Sequence, residues 1–172
     1  MANIVEYDCD YKVITIDSES ATFYNPLTCD FYINLDEPLR NVYKINIIVV
    51  LLNIVYDSSL NTTLDSIYVN LNNYNRIIGK SKTAVNGVKY NISAFDSIII
   101  ENANTTVGTN STLKNDYNST DTTYYLNPIE PQLSRFNIRL YDKNNVIINK
   151  TAINRFVLKI GIYYNNKKTT RI

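Results

Sequence analysis

The chain has no histidine, no tryptophan, one methionine, two cysteines, and only four glycines and four prolines in 172 residues. Each shortage excludes something. Without His, the commonest general base and imidazole metal ligand are missing, so Ser-His-Asp or Cys-His catalysis and His-based metal centres are not available. Cys9 and Cys29 lack the CxxC spacing of a zinc or redox site. They are expected as free thiols, the alternative being one bridge from the N-terminal segment to the next strand. The longest uninterrupted apolar run, residues 47–52, is far shorter than the roughly 20 residues of a membrane helix. No stable membrane insertion is expected.

Charge of one sign is lacking as well. Seventeen Lys and Arg against sixteen Asp and Glu leave a net charge of +1, without the basic footprint of a dedicated nucleic-acid binder. Lys167, Lys168 and Arg171 make a basic stretch too short to read as more than a solvated tail. The opening MANIVEYDCD carries Glu6, Asp8 and Asp10 where a secretory signal needs a basic start and an apolar run, so export by the usual route is not expected.

What the chain has in quantity is Asn, Ile and 15 Tyr. Such a composition looks like the translation of an AT-rich genome, so part of it is codon bias. Asn and Asp take over the turn role of the scarce Gly and Pro, because they tolerate left-handed φ and bond their own backbone. Tyr forms strands well and buries a ring while its hydroxyl reaches water or a partner. Asn-x-Ser/Thr triplets begin at Asn61, Asn91, Asn104, Asn110, Asn118 and Asn149, about as many as chance gives in so Asn-rich a chain, and glycosylation is not inferred from them.

The length suits one domain over residues 1–172. Apolar periodicity is short and two-fold, with no stretch long enough in the 3.6-residue period for a major helix. Strands are expected at Val13–Ile16, at Phe31, Ile33 and Leu35, at Ile67, Val69 and Leu71, around Ile98, at Phe136, Ile138 and Leu140, at Val146–Ile148, and over residues 156–164. Pro38 is expected to break the second of these from the apolar stretch 41–56, NVYKINIIVVLLNIVY, which reads as a central strand paired and covered on both faces over residues 45–52. On that reading Asn46 and Asn53 must find hydrogen-bond partners or lie at strand ends. Asn86-Gly87 is the strongest hairpin signal, since a type I′ turn needs φ > 0 at both positions. Asp142–Asn145 is a second turn. Residues 127–131, NPIEP, read as a rigid extended entry. Residues 102–123 form a long polar loop, either mobile or an ordered interaction arm. Eight or nine strands with polar turns indicate an all-β protein, a β-sandwich of about eight antiparallel strands, with a single jelly roll the favoured form.

Catalytic, cofactor and metal sites are not found: none of Asp8, Asp10, Glu37, Asp65, Asp96 and Glu130 stands in an unusual context, and Asp142 marks a turn. The chain is therefore not expected to be an enzyme. A carbohydrate-binding β-sandwich is the alternative from another class, with Tyr rings stacking on sugars. In the pairs Tyr124-Tyr125 and Tyr163-Tyr164 one ring must then point outward and one inward.

Four stretches carry a family likeness. FYINLDEPLRNVYKINI (31–47), IYVNLNNYNRIIG (67–79), AFDSIII (94–100) and YLNPIEPQLSRFNIRLYDKNNVIIN (125–149) together resemble the jelly-roll minor capsid and penton-type proteins of nucleocytoplasmic large DNA viruses. The likeness lies in their order: an aromatic-led strand with a Pro break, an Asn-Tyr-Asn-Arg element, and a Pro-marked lead-in to a Phe-x-Ile-x-Leu strand. The turn at NNVIIN lacks the expected Gly, and the polar segment 102–123 departs from the pattern. The resemblance implies a minor capsid or penton (vertex) component of the virion capsid, assembled in the host cytoplasm. Its partners would be the major capsid protein and other capsid proteins, with the chain as a homo-oligomer or lattice component.

Overall fold

The computed structural model describes residues 9–55, 66–75, 77–80, 91–99, 110–116 and 123–165. One long strand, β3 (Asp30–Val55), is the spine of a curled antiparallel sheet. The other strands are β1 (Asp10–Asp17), β2 (Thr22–Phe23), β4 (Ser66–Leu71), β5 (Ile77–Lys80), β6 (Asn91–Ala94), β7 (Asp96–Ile99), β8 (Asn110–Asp116), β9 (Thr123–Tyr141) and β10 (Ile153–Tyr164). On one edge β3 pairs with β2 and β10, and on the other with β9 and then β8. The main order is β1-β10-β3-β9-β4-β7, with β2 and β8 completing eight strands, while β5 and β6 form a separate two-stranded ladder. The all-β, antiparallel expectation holds.

The core follows from two-fold alternation. Ile67, Val69 and Leu71 of β4, Phe136, Ile138 and Leu140 of β9, and Phe156, Leu158, Ile160 and Ile162 of β10 are all buried on one face. They join β3 residues, Ile16, Phe95 and Ile98 in one continuous apolar cluster. Each such side chain stabilises the fold by about 1.5–3 kcal/mol relative to exposure.

β3 corrects two expectations. Pro38 does not end a strand. Asn34 pairs with Arg135 and Leu39 with Leu133, so residues 35–38 bow out opposite Ser134 alone. Pro38 lies in that interruption, where its missing N–H costs no ladder bond. The second correction concerns coverage. Over residues 45–52 β3 pairs with β10 on one edge, and on the other with β9 up to Asn46 and with β8 from Val49, yet only Ile45, Ile47, Val50 and Leu52 are fully buried, and the opposite face is half-covered. The buried positions change from odd to even because Lys159 pairs with Val49 and Ile160 with Ile47, which leaves Ile48 as a bulge. An unbroken apolar run hides such a phase change.

The polar segment 102–123 is corrected in part. Within it β8 pairs with Val49–Val55 in antiparallel register, and Thr123 opens β9. A backbone ladder does not require apolar side chains, and a polar strand such as NSTLKND suits a sheet edge. NPIEP is likewise no separate entry. It lies within β9, where residues 126–129 bow out between the pairs Val42–Glu130 and Lys44–Tyr125. Around Asp142 the turn forms as expected, Asp142 Oδ1 accepting from the N–H groups of Asn144 and Val146, with Asn145 at φ 62°. The return at Val146–Ile148 is held by isolated bridges at Tyr141–Ile147 and Thr28–Asn149, not by a strand. β5 and β6 pair antiparallel on either side of Asn86-Gly87, and that turn itself lies outside the described residues. Cys9 is exposed and Cys29 buried, and neither is bridged.

Candidate functional site

Where β4 ends, the chain turns away from β9. Leu71 is still paired with Ile138, and the Asn72 N–H still donates to the Asn137 carbonyl. Asn72 and Asn73 then adopt φ 48° and 61°, and the Tyr74 N–H closes back onto the Leu71 carbonyl at 2.8 Å. Two left-handed residues inside a closed four-residue turn are the mark of type I′ geometry, which Asn adopts at small cost. Because β4 leaves there, β9 between Glu130 and Arg135 has no strand on that side among the described residues. The result is an open cavity of about 330 Å³ lined by Asn72, Asn73, Tyr74, Leu133 and the polar β9 residues Glu130, Gln132, Ser134, Arg135 and Asn137.

Its walls are held by a connected set of bonds. Asn72 Oδ1 accepts from the Asn137 backbone N–H at 2.6 Å and from Asn137 Nδ2 at 3.2 Å, while Asn72 Nδ2 donates to the Arg135 carbonyl. The Tyr24 hydroxyl donates to Asn137 Oδ1 at 2.6 Å. Arg135 lies with its guanidinium carbon 4.6 Å above the Tyr32 ring and donates from Nε to Asn34 Oδ1. At the other end the Tyr74 hydroxyl donates to Glu130 Oε2 at 3.2 Å, and its ring stacks on Tyr124, which meets Phe95 edge-on. Burial, joined by the charge of Glu130, pushes the Tyr74 hydroxyl well above its ordinary value, so it stays a donor at any physiological pH.

A second polar constellation lies on the half-covered face. Tyr11 of β1, Tyr163 of β10, Lys44 of β3 and Tyr125 of β9 stand in one cross-strand row. Tyr11 and Tyr163 are 4.8 Å apart, and the Lys44 ammonium sits 4.2 Å over Tyr163 and 5.7 Å from Tyr125. The cation in this aromatic setting is the chain's own lysine. In the next row Asn46 faces Gly161, and the side-chain oxygens of Asn46 and Asn53 are buried without a hydrogen-bond partner. The requirement that both amides be paired or terminal is therefore not met for these two oxygens.

Of the carboxylates weighed from sequence that lie among the described residues, Glu130 alone lines the groove. Asp10 and Glu37 are exposed, Asp96 is half-buried on β7, and Asp8 and Asp65 lie outside the described residues. Among the described residues no group of three or more His, Cys, Asp and Glu is placed to hold a metal ion, and no helix is long and apolar enough to cross a membrane. The Tyr pairs divide as alternation requires: Tyr124 and Tyr164 pack against the core, whereas Tyr125 is 67% exposed and Tyr163 joins the outer row. Sequence reading did not find the groove. Its available signal was Asn72-Asn73 directly after an alternating strand, two residues that tolerate left-handed φ. No protein-family model matches the chain, and no curated protein matches it significantly.

Proposed function

We propose that this protein is a structural component of a virion, a minor capsid or penton protein that assembles with capsomers of the major capsid protein, and that its curled sheet belongs to a jelly-roll sandwich. Among the features that support the reading, the sheet ends carry it. β1 and β7 close the main strand order, each paired on one side among the described residues. They present Tyr11 at 49%, Val13 at 43% and Ile99 at 68% exposure. A strand with one free edge and outward apolar side chains is a template for pairing with another subunit. The order of the four family-like segments supplies the viral context.

The deciding measurement is mass spectrometry of purified particles from infected cells, in which the chain should be retained through density-gradient banding in fixed ratio to the major capsid protein. Its absence from banded particles would sink the reading. Light scattering of the isolated protein should show concentration-dependent association that Val13→Glu and Ile99→Lys reduce without lowering Tm. A strictly monomeric species at high concentration would count against a vertex role.

A further inference from the structure

We propose that the groove between the Leu71–Tyr74 turn and residues 130–135 of β9 is a saccharide-binding site, a property separate from capsid assembly. The argument rests on what lines it. Among the described residues Leu133 is the sole aliphatic side chain in the lining and is itself buried, so these residues offer no apolar floor to a hydrophobic ligand. Among the described lining residues Glu130 and Arg135 oppose each other in sign, so these residues set no net field that favours a polyanion or a cation. The remaining lining is made of groups that donate and accept at once: the amides of Asn73 and Gln132 and the hydroxyl of Ser134. Sugar hydroxyls have the same dual character, and an amide or carboxylate can meet two neighbouring hydroxyls together.

Placement adds to composition. Glu130 and Gln132 are two residues apart on β9, the spacing for side chains on one strand face, and Ser134 and Arg135 are both exposed where the buried positions step from Leu133 to Phe136. Because β4 has turned away, no described strand pairs with that edge of β9 between Glu130 and Ser134, and the next carbonyl, that of Arg135, is held by Asn72 Nδ2. The walls are pre-set by the Asn72–Asn137 clasp, the Tyr74–Tyr124 stack and the Arg135–Asn34 bond, so little ordering accompanies binding. A volume of about 330 Å³ with an open mouth suits a mono- or disaccharide unit at the end of a glycan.

The test is a glycan array probed with the full chain, followed by calorimetry on the best-retained saccharide with single variants Gln132→Ala and Ser134→Ala, both at exposed positions. Retention of one saccharide class is expected, with affinity falling at least tenfold in either variant, Tm unchanged, and Tyr125→Ala without effect. An array that retains nothing overturns the proposal, including the case in which the groove instead seats a loop of a neighbouring subunit. Binding that survives both groove variants, or that is lost only in Tyr125→Ala, also overturns it by moving the site to the tyrosine row. The readout does not depend on whether the protein is found in particles.

Discussion

Gly161 and Asn46 face each other across the β10–β3 ladder, and a side chain can be added at Gly161 only if its neighbours move. A Cβ on Gly161 would run into Asn46 Oδ1 and would lie 2.5 Å from the Tyr11 hydroxyl and 2.7 Å from its ring. Both are ends of side chains, and Tyr11 is half-exposed on the edge strand, so the neighbours can shift at a cost. Gly161→Ala should destabilise the protein by about 1–3 kcal/mol in urea unfolding. The double variant Gly161→Ala/Tyr11→Ser should recover part of that loss. A neutral single variant would mean that the row is looser than this contact implies.

Asn53 offers the opposite case. Its side-chain oxygen is buried without a partner in a stretch otherwise made of Val, Leu and Ile. Asn53→Val removes the desolvated acceptor and adds a strand-forming residue, so a gain of about 1 kcal/mol is expected. Denaturant midpoints at constant m decide it: a lower midpoint would show that the amide has a role the apolar side chain cannot fill.

Asp17 anchors the turn between β1 and β2. Its carboxylate accepts from Arg155 Nη2 at 2.6 Å and caps the one-turn 3-10 segment Ser18–Ser20 through the Glu19 N–H. The Arg155 bond holds the Asp17 carboxyl below its ordinary value of 3.8. A carboxylate depressed in the folded state adds stability that is present above that ordinary value and is lost as pH falls through the folded one. Both partners are partly exposed, so solvent screening keeps the contribution small. Comparing the native protein with Asp17→Asn, the stability difference should be constant from pH 5 to 8 and shrink below about pH 4. A difference that instead grows on acidification would reverse the assignment.

Cys29 and Cys9 should separate by reactivity. Burial pushes the Cys29 thiol up to about 12, a change the nearby Lys150 charge reduces only in part, whereas Cys9 is exposed. At pH 8 an alkylating reagent should add one label to the native protein, at Cys9, and two after unfolding. Rapid double labelling of native protein would show that the Cys29 region opens.

The neighbouring tyrosines 124 and 125 should differ as sharply. Tyr124→Ala removes a ring packed against Tyr74 and Phe95 and should cost about 2–4 kcal/mol. Tyr125→Ala removes a ring that is 67% exposed and should stay within about 0.5 kcal/mol. Equal effects would contradict the inward and outward assignment.

The sequence by itself determined the all-β class, the turn at Asp142, and which face of most strands is buried, because side-chain alternation is a local signal with a period of two residues. Ile67, Val69 and Leu71 or Phe156, Leu158, Ile160 and Ile162 needed nothing further to be read as core. Tertiary structure alone decided three things. The Ile48 bulge is invisible where every residue is apolar, since alternation then carries no phase. Pairing of the polar strand β8 depends on backbone groups that every sequence has, and what recruits it is the open edge of Val49–Val55 some sixty residues earlier in the chain. The groove, finally, exists because Asn72 and Asn73 turn β4 away from β9 and Asn72 then clasps Asn137, 65 positions away. Neither residue announces the other, for the bond between them is made only once the sheet has brought their strands side by side.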